Sequence, residues 1–131
     1  MAQVEDRPLV HARRPTRVLI ADDSAQIRRG LTGVFALADD IEVIAEAADG
    51  VEAVALAAQM MPDVVVMDLA MPVMDGIQTT RLIRAAQPAV QVLTVTALGG
   101  QERAAREAGA EGFVLKDAEP AAIIGAVRSL T

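Results

Sequence analysis

The sequence predicts an α/β fold in which five strand–helix units build one doubly wound parallel sheet with helices on both faces. Three observations predict it. Short apolar runs alternate five times with stretches of helical periodicity. The run Val64-Val65-Val66-Met67 is apolar at every position, as a strand buried on both faces requires. Asp, Ser, Gly and Pro stand between the runs, where turns and helix caps need them.

Taken in order, residues 1–16 show no apolar periodicity. Pro8, Pro15 and the mixed charges of Glu5, Asp6, Arg7, Arg13 and Arg14 predict a flexible leader, and residues 17–131 form the folded domain. Arg13-Arg14 reads as part of a solvated tail, and His11 has no ligand partner at useful spacing. Arg17 to Ala21 is the first strand, closed by Asp22-Asp23-Ser24, with Ser24 placed to cap a helix. Ile27, Leu31, Val34, Phe35 and Ala38 mark the inner face of that helix. Ile41 to Ala47 alternates at its start, as a more exposed strand does, and Asp49-Gly50 closes it. Val51, Val54, Ala55 and Ala58 are expected to face inward from the second helix.

The strand Val64 to Met67 leads into Asp68, Leu69, Ala70, Met71 and Pro72, and Asp75-Gly76 reads as a turn or a helix cap. A third helix runs from about Gly76 to Ala86, with Ile77, Thr80 and Ile83 inward, and Pro88 ends it. Val90 to Thr96 is the fourth strand. Gly99-Gly100 marks a loop, a short polar helix covers about Gln101 to Ala108, and Gly109 stops it. Glu111 to Lys116 is the fifth strand. Pro120 opens a last helix whose apolar face is Ile123, Val127 and Leu130.

Composition narrows the functions. Apolar residues make up 53% of the 131, enough to bury a core and to exclude a disordered chain. The net charge of −6 and an aromatic content of 2% argue against gripping a phosphate backbone or stacking on bases. With no cysteine, disulfides, thiolate catalysis and zinc–thiolate sites are excluded. No apolar run is long enough to span a bilayer and no signal peptide opens the chain, so a cytoplasmic protein with no membrane partner is expected.

The chemistry gathers at the strand ends. The first strand ends in Asp22 and Asp23, the third in Asp68, the fourth in Thr96 and the fifth in Lys116. Parallel strands joined by right-handed crossovers bring all five to one edge, where open α/β sheets bind ligands. Each alone is ordinary: an Asp-Asp pair caps helices, Thr favours strands, Lys is usually solvated. Together they are specific. Two carboxylates about 4 Å apart repel by on the order of 4 kcal/mol at an effective dielectric of 20. Either their pKa values rise or a cation binds, and all-oxygen ligands suit Mg²⁺, or Mn²⁺ in its place. Metal, ammonium and hydroxyl donor are what a phosphoryl group in flight needs, and a carboxylate can form an aspartyl phosphate.

At these residues the chain resembles the response-regulator receiver domains of two-component signalling. The motifs are Ala21-Asp22-Asp23, Met67-Asp68-Leu69-Ala70-Met71-Pro72 with Met74-Asp75-Gly76, Thr96-Ala97, and Gly112-Phe113-Val114-Leu115-Lys116. The resemblance covers about Arg17 to Leu130. It implies the flavodoxin-like strand order 2-1-3-4-5 and a phosphoryl group accepted by Asp68 from a sensor histidine kinase. It implies Mg²⁺ held by Asp23 and Asp68 directly, by Asp22 mainly through water, and by the backbone carbonyl of Ala70. It implies that Lys116 pairs first with Asp68 and then with the phosphoryl group. Thr96 would swing in with Phe113 following, biasing the surface of the fourth helix, fifth strand and fifth helix.

Three positions depart from the commonest family pattern. Phe113 stands where many members have Tyr, Asp117 where Pro is usual, and Val73 where Gly is frequent. The run from Gly112 to Asp117 looks like the NarL/LuxR-type subfamily, whose output is a helix-turn-helix transcription factor. Ala70 and Leu98 are expected to flank the pocket as apolar side chains and to leave an attacking water unpositioned. The sequence ends just after the last predicted helix, so a stand-alone regulator and the receiver part of a longer transcription regulator compete; the subfamily likeness favours the second. DNA contact would then belong to an output domain, and a homodimer is a further partner to expect. A receiver-like interaction module with an idle pocket is the alternative. An aspartate-nucleophile phosphatase would need an acid where Ala70 stands, and a dinucleotide enzyme a Gly-rich turn where Asp22-Asp23-Ser24 stands.

Overall fold

The structure, a computed structural model, describes residues 14–97 and 99–131. His11, Arg13 and Leu98, and with them most of the expected leader, lie outside the described residues. The elements alternate as β1 (Thr16–Ala21), α1 (Ala25–Phe35), β2 (Ile41–Ala47), α2 (Gly50–Met60), β3 (Val64–Met67), α3 (Gly76–Ala86), β4 (Gln91–Thr96), α4 (Glu102–Glu107), β5 (Gly112–Leu115) and α5 (Pro120–Arg128). The five strands form one parallel sheet in the order β2-β1-β3-β4-β5. Thr16 already pairs with Ile41, so the folded part begins one residue before the expected boundary.

β3 is the central strand and is buried throughout. Its residues alternate between two cores, because successive strand side chains point to opposite faces. Val64 and Val66 join Val18, Ile20, Phe35, Ile123 and Val127. Val65 and Met67 join Leu19, Ala53, Ala57, Ile83 and Val92. Phe35 is the bulkiest fully buried side chain, and the next largest are Leu, Ile, Met and Val. β2 and β5 are the sheet edges, and their residues are mostly only half-buried.

α2 corrects the expected inner face. Gly50, Ala53 and Ala57 face inward and Val54 is half-buried, whereas Val51, Ala55 and Ala58 are exposed. The helix is apolar nearly all round, so periodicity had little to select on. Close packing chose the small residues: a Cβ on Gly50 would stand 2.3 Å from Thr79 Oγ1 of α3 and 2.8 Å from the Met74 carbonyl. Asp49 and Gly50 also do more than close β2. The Asp49 side chain accepts from the Glu52 N–H at 2.8 Å and caps α2. Asp75 caps α3 likewise, accepting from Gln78 N–H at 2.8 Å. Gly109, at φ +112°, ends the turn after α4 as expected.

The loop between β3 and α3 is tight. The Gly76 N–H donates to the Leu69 carbonyl at 3.0 Å, and a Cβ there would lie 2.2 Å from the Asp68 carbonyl oxygen. Glycine is therefore required by contact with the backbone of Asp68. Val73, 84% exposed, sits at φ +71°, a left-handed conformation that β-branched residues rarely adopt.

Gly76→Ala should lower stability by about 2 kcal/mol, through forced displacement of α3 from the Asp68 backbone. Val73→Gly should raise it by roughly 1 kcal/mol, strain relief exceeding the added chain entropy. Urea unfolding followed by circular dichroism measures both; opposite signs are expected.

Candidate functional site

The site is assembled by backbone register. Ala21 of β1 pairs with Met67 of β3, so the residues that follow, Asp22 and Asp68, emerge side by side at the C-terminal edge of the sheet. The Asp68 N–H donates to the Ala21 carbonyl at 2.9 Å, and the Asp22 N–H to the Ala47 carbonyl at 3.0 Å. Both acids are buried and Asp23 beside them is exposed. Each of the three offers a carboxylate oxygen, and these oxygens lie within 4.8 Å of one another.

Lys116 enters from β5, on the far side of β4. Its N–H donates to the Thr96 carbonyl at 2.8 Å, which anchors the residue just beyond the strand end. Its ammonium lies 2.8 Å from Asp22 Oδ2 and 3.4 Å from Asp68 Oδ2, so it is shared, and it stands closer to Asp22 than to Asp68. Burial disfavours the charged ammonium, but bonds to Asp22 and Asp68 and their charges outweigh it and raise the Lys116 pKa. The Asp68 carboxyl is pushed up, first by burial and then by the charge of Asp22; the Ala70 N–H and Lys116 only partly offset this.

Local turns hold the acids. Asp68 Oδ1 accepts from the Ala70 N–H at 3.2 Å, and Asp22 Oδ1 from the Ser24 N–H at 2.9 Å. Ser24 in turn caps α1, its hydroxyl accepting from the Ile27 N–H at 3.2 Å. Thr96 is buried at the end of β4, and Phe113 is half-buried in β5 against the α2–α3–α4 core. Among the described residues, the Thr96 hydroxyl makes no hydrogen bond to the acids. The structure thus brings Asp22, Asp23, Asp68 and Lys116 together and leaves Thr96 and Phe113 on the neighbouring strands.

Two residues at the site were not singled out from the sequence. Arg28 donates from one terminal nitrogen to the Asp22 carbonyl at 2.8 Å and from Nε to Glu46 Oε1 at 3.0 Å. The one available signal was a charged side chain next to the apolar stripe of α1, one position after Ile27. A cavity of about 810 Å³ opens at the opposite edge of the sheet, among Arg14, Asp40, Asp63 and Leu130; Asp22, Asp23 and Asp68 do not line it.

The donor set fits a hard divalent cation. Two oxygens on opposite sides of Mg²⁺ lie about 4.2 Å apart, given Mg–O contacts near 2.1 Å, so a cluster held within 4.8 Å is close to the required size. The Asp68 pKa is raised by burial first and by the charge of Asp22 second. A bound cation would relieve it.

Comparison with known proteins shows the family. The sequence model of the response regulator receiver domain matches residues 18–128. The uncharacterized transcriptional regulatory protein YhcZ of Bacillus subtilis is 42% identical over 110 residues, covering 82% of this chain and 51% of that protein. The chain spans about half the length of the curated relatives it matches. Among solved structures, a LuxR-family two-component response regulator from Aurantimonas sp. SI85-9A1 superposes with a TM-score of 0.85 at 36% identity, covering 88% of this chain and 84% of that one. A chain of the CheX–CheY–BeF₃–Mg²⁺ complex from Borrelia burgdorferi superposes with a TM-score of 0.83 at 32% identity, covering 89% and 90%. No helix among the described residues is long and apolar enough to cross a membrane. The chain belongs to the response regulator receiver domain family, and its likeness runs to members of the LuxR type.

Proposed function

We propose that residues 17–131 act as a phosphoacceptor switch in which Asp68 takes a phosphoryl group from the phosphohistidine of a sensor histidine kinase. The observation that carries this is the constellation at the strand ends: three carboxylates within 4.8 Å and one ammonium shared between two of them. Asp23 and Asp68, with the Ala70 carbonyl, would hold Mg²⁺ directly and Asp22 through water. That ion would supply positive charge to the phosphoryl oxygens. The complex with BeF₃ and Mg²⁺ named for the Borrelia relative supports the same assignment.

A carboxylate oxygen of Asp68 attacks phosphorus in line with the scissile bond. The P–N bond to the kinase imidazole breaks, its electron pair returns to the ring, and an aspartyl phosphate forms. Lys116, already within 3.4 Å of Asp68, exchanges a carboxylate partner for a phosphoryl oxygen. The Thr96 hydroxyl donates to another oxygen, and Phe113 moves into the space it leaves. The phosphorylated pocket binds this second arrangement better and so shifts the population towards it. Because the chain spans about half of its relatives, we assign the phosphoacceptor role to it and DNA contact to the remaining half of such a protein.

Incubation with acetyl phosphate and Mg²⁺ should add one phosphoryl group by intact mass spectrometry. The gain should vanish with Asp68→Asn or with chelator; an unmodified wild-type mass would defeat the proposal. Saturation with Mg²⁺ at ten times its Kd should stabilise the domain by about 1.4 kcal/mol, a rise of roughly 4–6 °C in melting temperature. The Asp68→Asn variant should lose most of that rise. Without Mg²⁺ it should melt no lower than wild type, because ionising an acid whose folded pKa is raised lowers stability at neutral pH. Ala70→Asn, which adds a group able to orient water beside Asp68, should shorten the lifetime of the phosphorylated form several-fold by phosphate-release assay. An unchanged lifetime would show that the exposed Ala70 position does not control hydrolysis.

A further inference from the structure

We infer that Arg28, braced by Glu46, is a positioning residue for cation binding, resting on the reading of the acidic cluster given above. The oxygen it holds belongs to the peptide unit that joins Asp22 to Asp23. Fixing that carbonyl fixes the rotation of the peptide plane. It thereby sets ψ of Asp22 and φ of Asp23, and with them the directions in which both carboxylates leave the backbone. The other side of Asp22 is fixed by the same strand: its N–H donates to Ala47, the residue after Glu46. The end of β2 therefore clamps Asp22 from both sides, directly through Ala47 and indirectly through Glu46 and Arg28.

The geometry goes beyond an ordinary surface ion pair, which is worth about 0–1 kcal/mol. The Arg28 side chain is only 17% exposed, and its fork spans two different acceptors at 2.8 and 3.0 Å. Glu46 has its other oxygen 3.4 Å from the Thr32 hydroxyl of α1, so the carboxylate is itself oriented. Lys116 and Arg28 divide the work. Lys116 touches the carboxylates, and on the proposed mechanism it must change partners. Arg28 touches the backbone, so it can hold the loop against the mutual repulsion of the acids in every state of the cycle. Partners that orient a ligating carboxylate typically contribute 10–100-fold in metal affinity.

The test is Mn²⁺ titration of the purified domain, with free Mn²⁺ read by electron paramagnetic resonance. Arg28→Ala should raise the Kd about 10-fold. Glu46→Gln should raise it by less, and Arg28→Lys should recover part of the loss. Amide exchange at Asp22, Asp23 and Ser24 should accelerate in Arg28→Ala without any metal. Arg128→Ala, which removes a 2.8 Å ion pair with Asp40, is the control and should leave the Kd unchanged. Folded Arg28→Ala that binds Mn²⁺ as tightly as wild type overturns the inference. Should Arg28→Ala fail to fold, an unchanged Kd in both Glu46→Gln and Arg28→Lys overturns it equally. A wild-type domain that binds no Mn²⁺ at all instead overturns the reading of the acidic cluster.

Discussion

The constraint on which the rest depends is the burial of two carboxylates side by side at the ends of adjacent parallel strands. The pairing of Ala21 with Met67 leaves Asp22 and Asp68 no freedom to separate. Solvent would ordinarily screen such a pair, yet both are nearly inaccessible. The fold answers with groups that either neutralise or orient. Lys116 reaches across the end of β4 to both acids, and the Ser24 and Ala70 N–H groups each occupy one oxygen. Those contacts do not cancel the charge, since the Asp68 carboxyl remains pushed up. On the proposed reading, a divalent cation supplies the positive charge that the pocket still lacks.

Precision in the surrounding backbone follows from the same constraint. A site built from residues on β1, β3 and β5 works only if those ends are held to within a fraction of an ångström, and each is held by a main-chain bond. Asp22 is tied to Ala47, Asp68 to Ala21, and Lys116 to Thr96. The β3–α3 loop shows the cost. The N-terminus of α3 lies so close to Asp68 that only glycine fits at position 76, and Val73 accepts a left-handed conformation to close the turn. Strain of about 1–3 kcal/mol at such a residue persists only where the surroundings over-determine it.

Much of this was legible in the sequence, and what was not had physical reasons. Val64 to Met67 identified a doubly buried strand because every residue in it is apolar, and β3 proved to be the centre of the sheet. The gathering of Asp22, Asp23, Asp68 and Lys116 was legible because parallel topology alone sends their strand ends to one edge. The inner face of α2 was not, since a helix that is apolar all round hides which side packs. Its small residues won because α3 and the loop before it come too close for a side chain at position 50. Arg28 and Glu46 were hidden for another reason. The Arg28 partner at the site is a backbone carbonyl, which leaves no complementary residue type to look for, and Glu46 reaches the site only through Arg28, 18 positions away in the chain. The preference of Lys116 for Asp22 over Asp68 was equally invisible, because it depends on side-chain reach across β4.

The packing also decides where a change of charge at Asp68 can be felt. β1 and β3 are locked in the middle of the sheet, with both faces covered, and the Asp22 loop is tied down by Ala47 and Arg28. Movement there would open close-packed cores, at about 0.8 kcal/mol for each methylene returned to water. The β4–β5 side differs. β5 is an edge strand of four residues, its Phe113, Val114 and Leu115 are at most half-buried, and α4 is a short polar helix held by exposed i,i+4 ion pairs. The two groups that a phosphoryl oxygen would recruit, the Thr96 hydroxyl and the Lys116 ammonium, both sit on that side. On the proposed reading, the stiff side of the sheet holds the chemistry in place and the loosely packed side yields. On that reading the response runs towards β5, because the groups a phosphoryl oxygen would recruit stand at the ends of β4 and β5, beside a short half-buried edge strand.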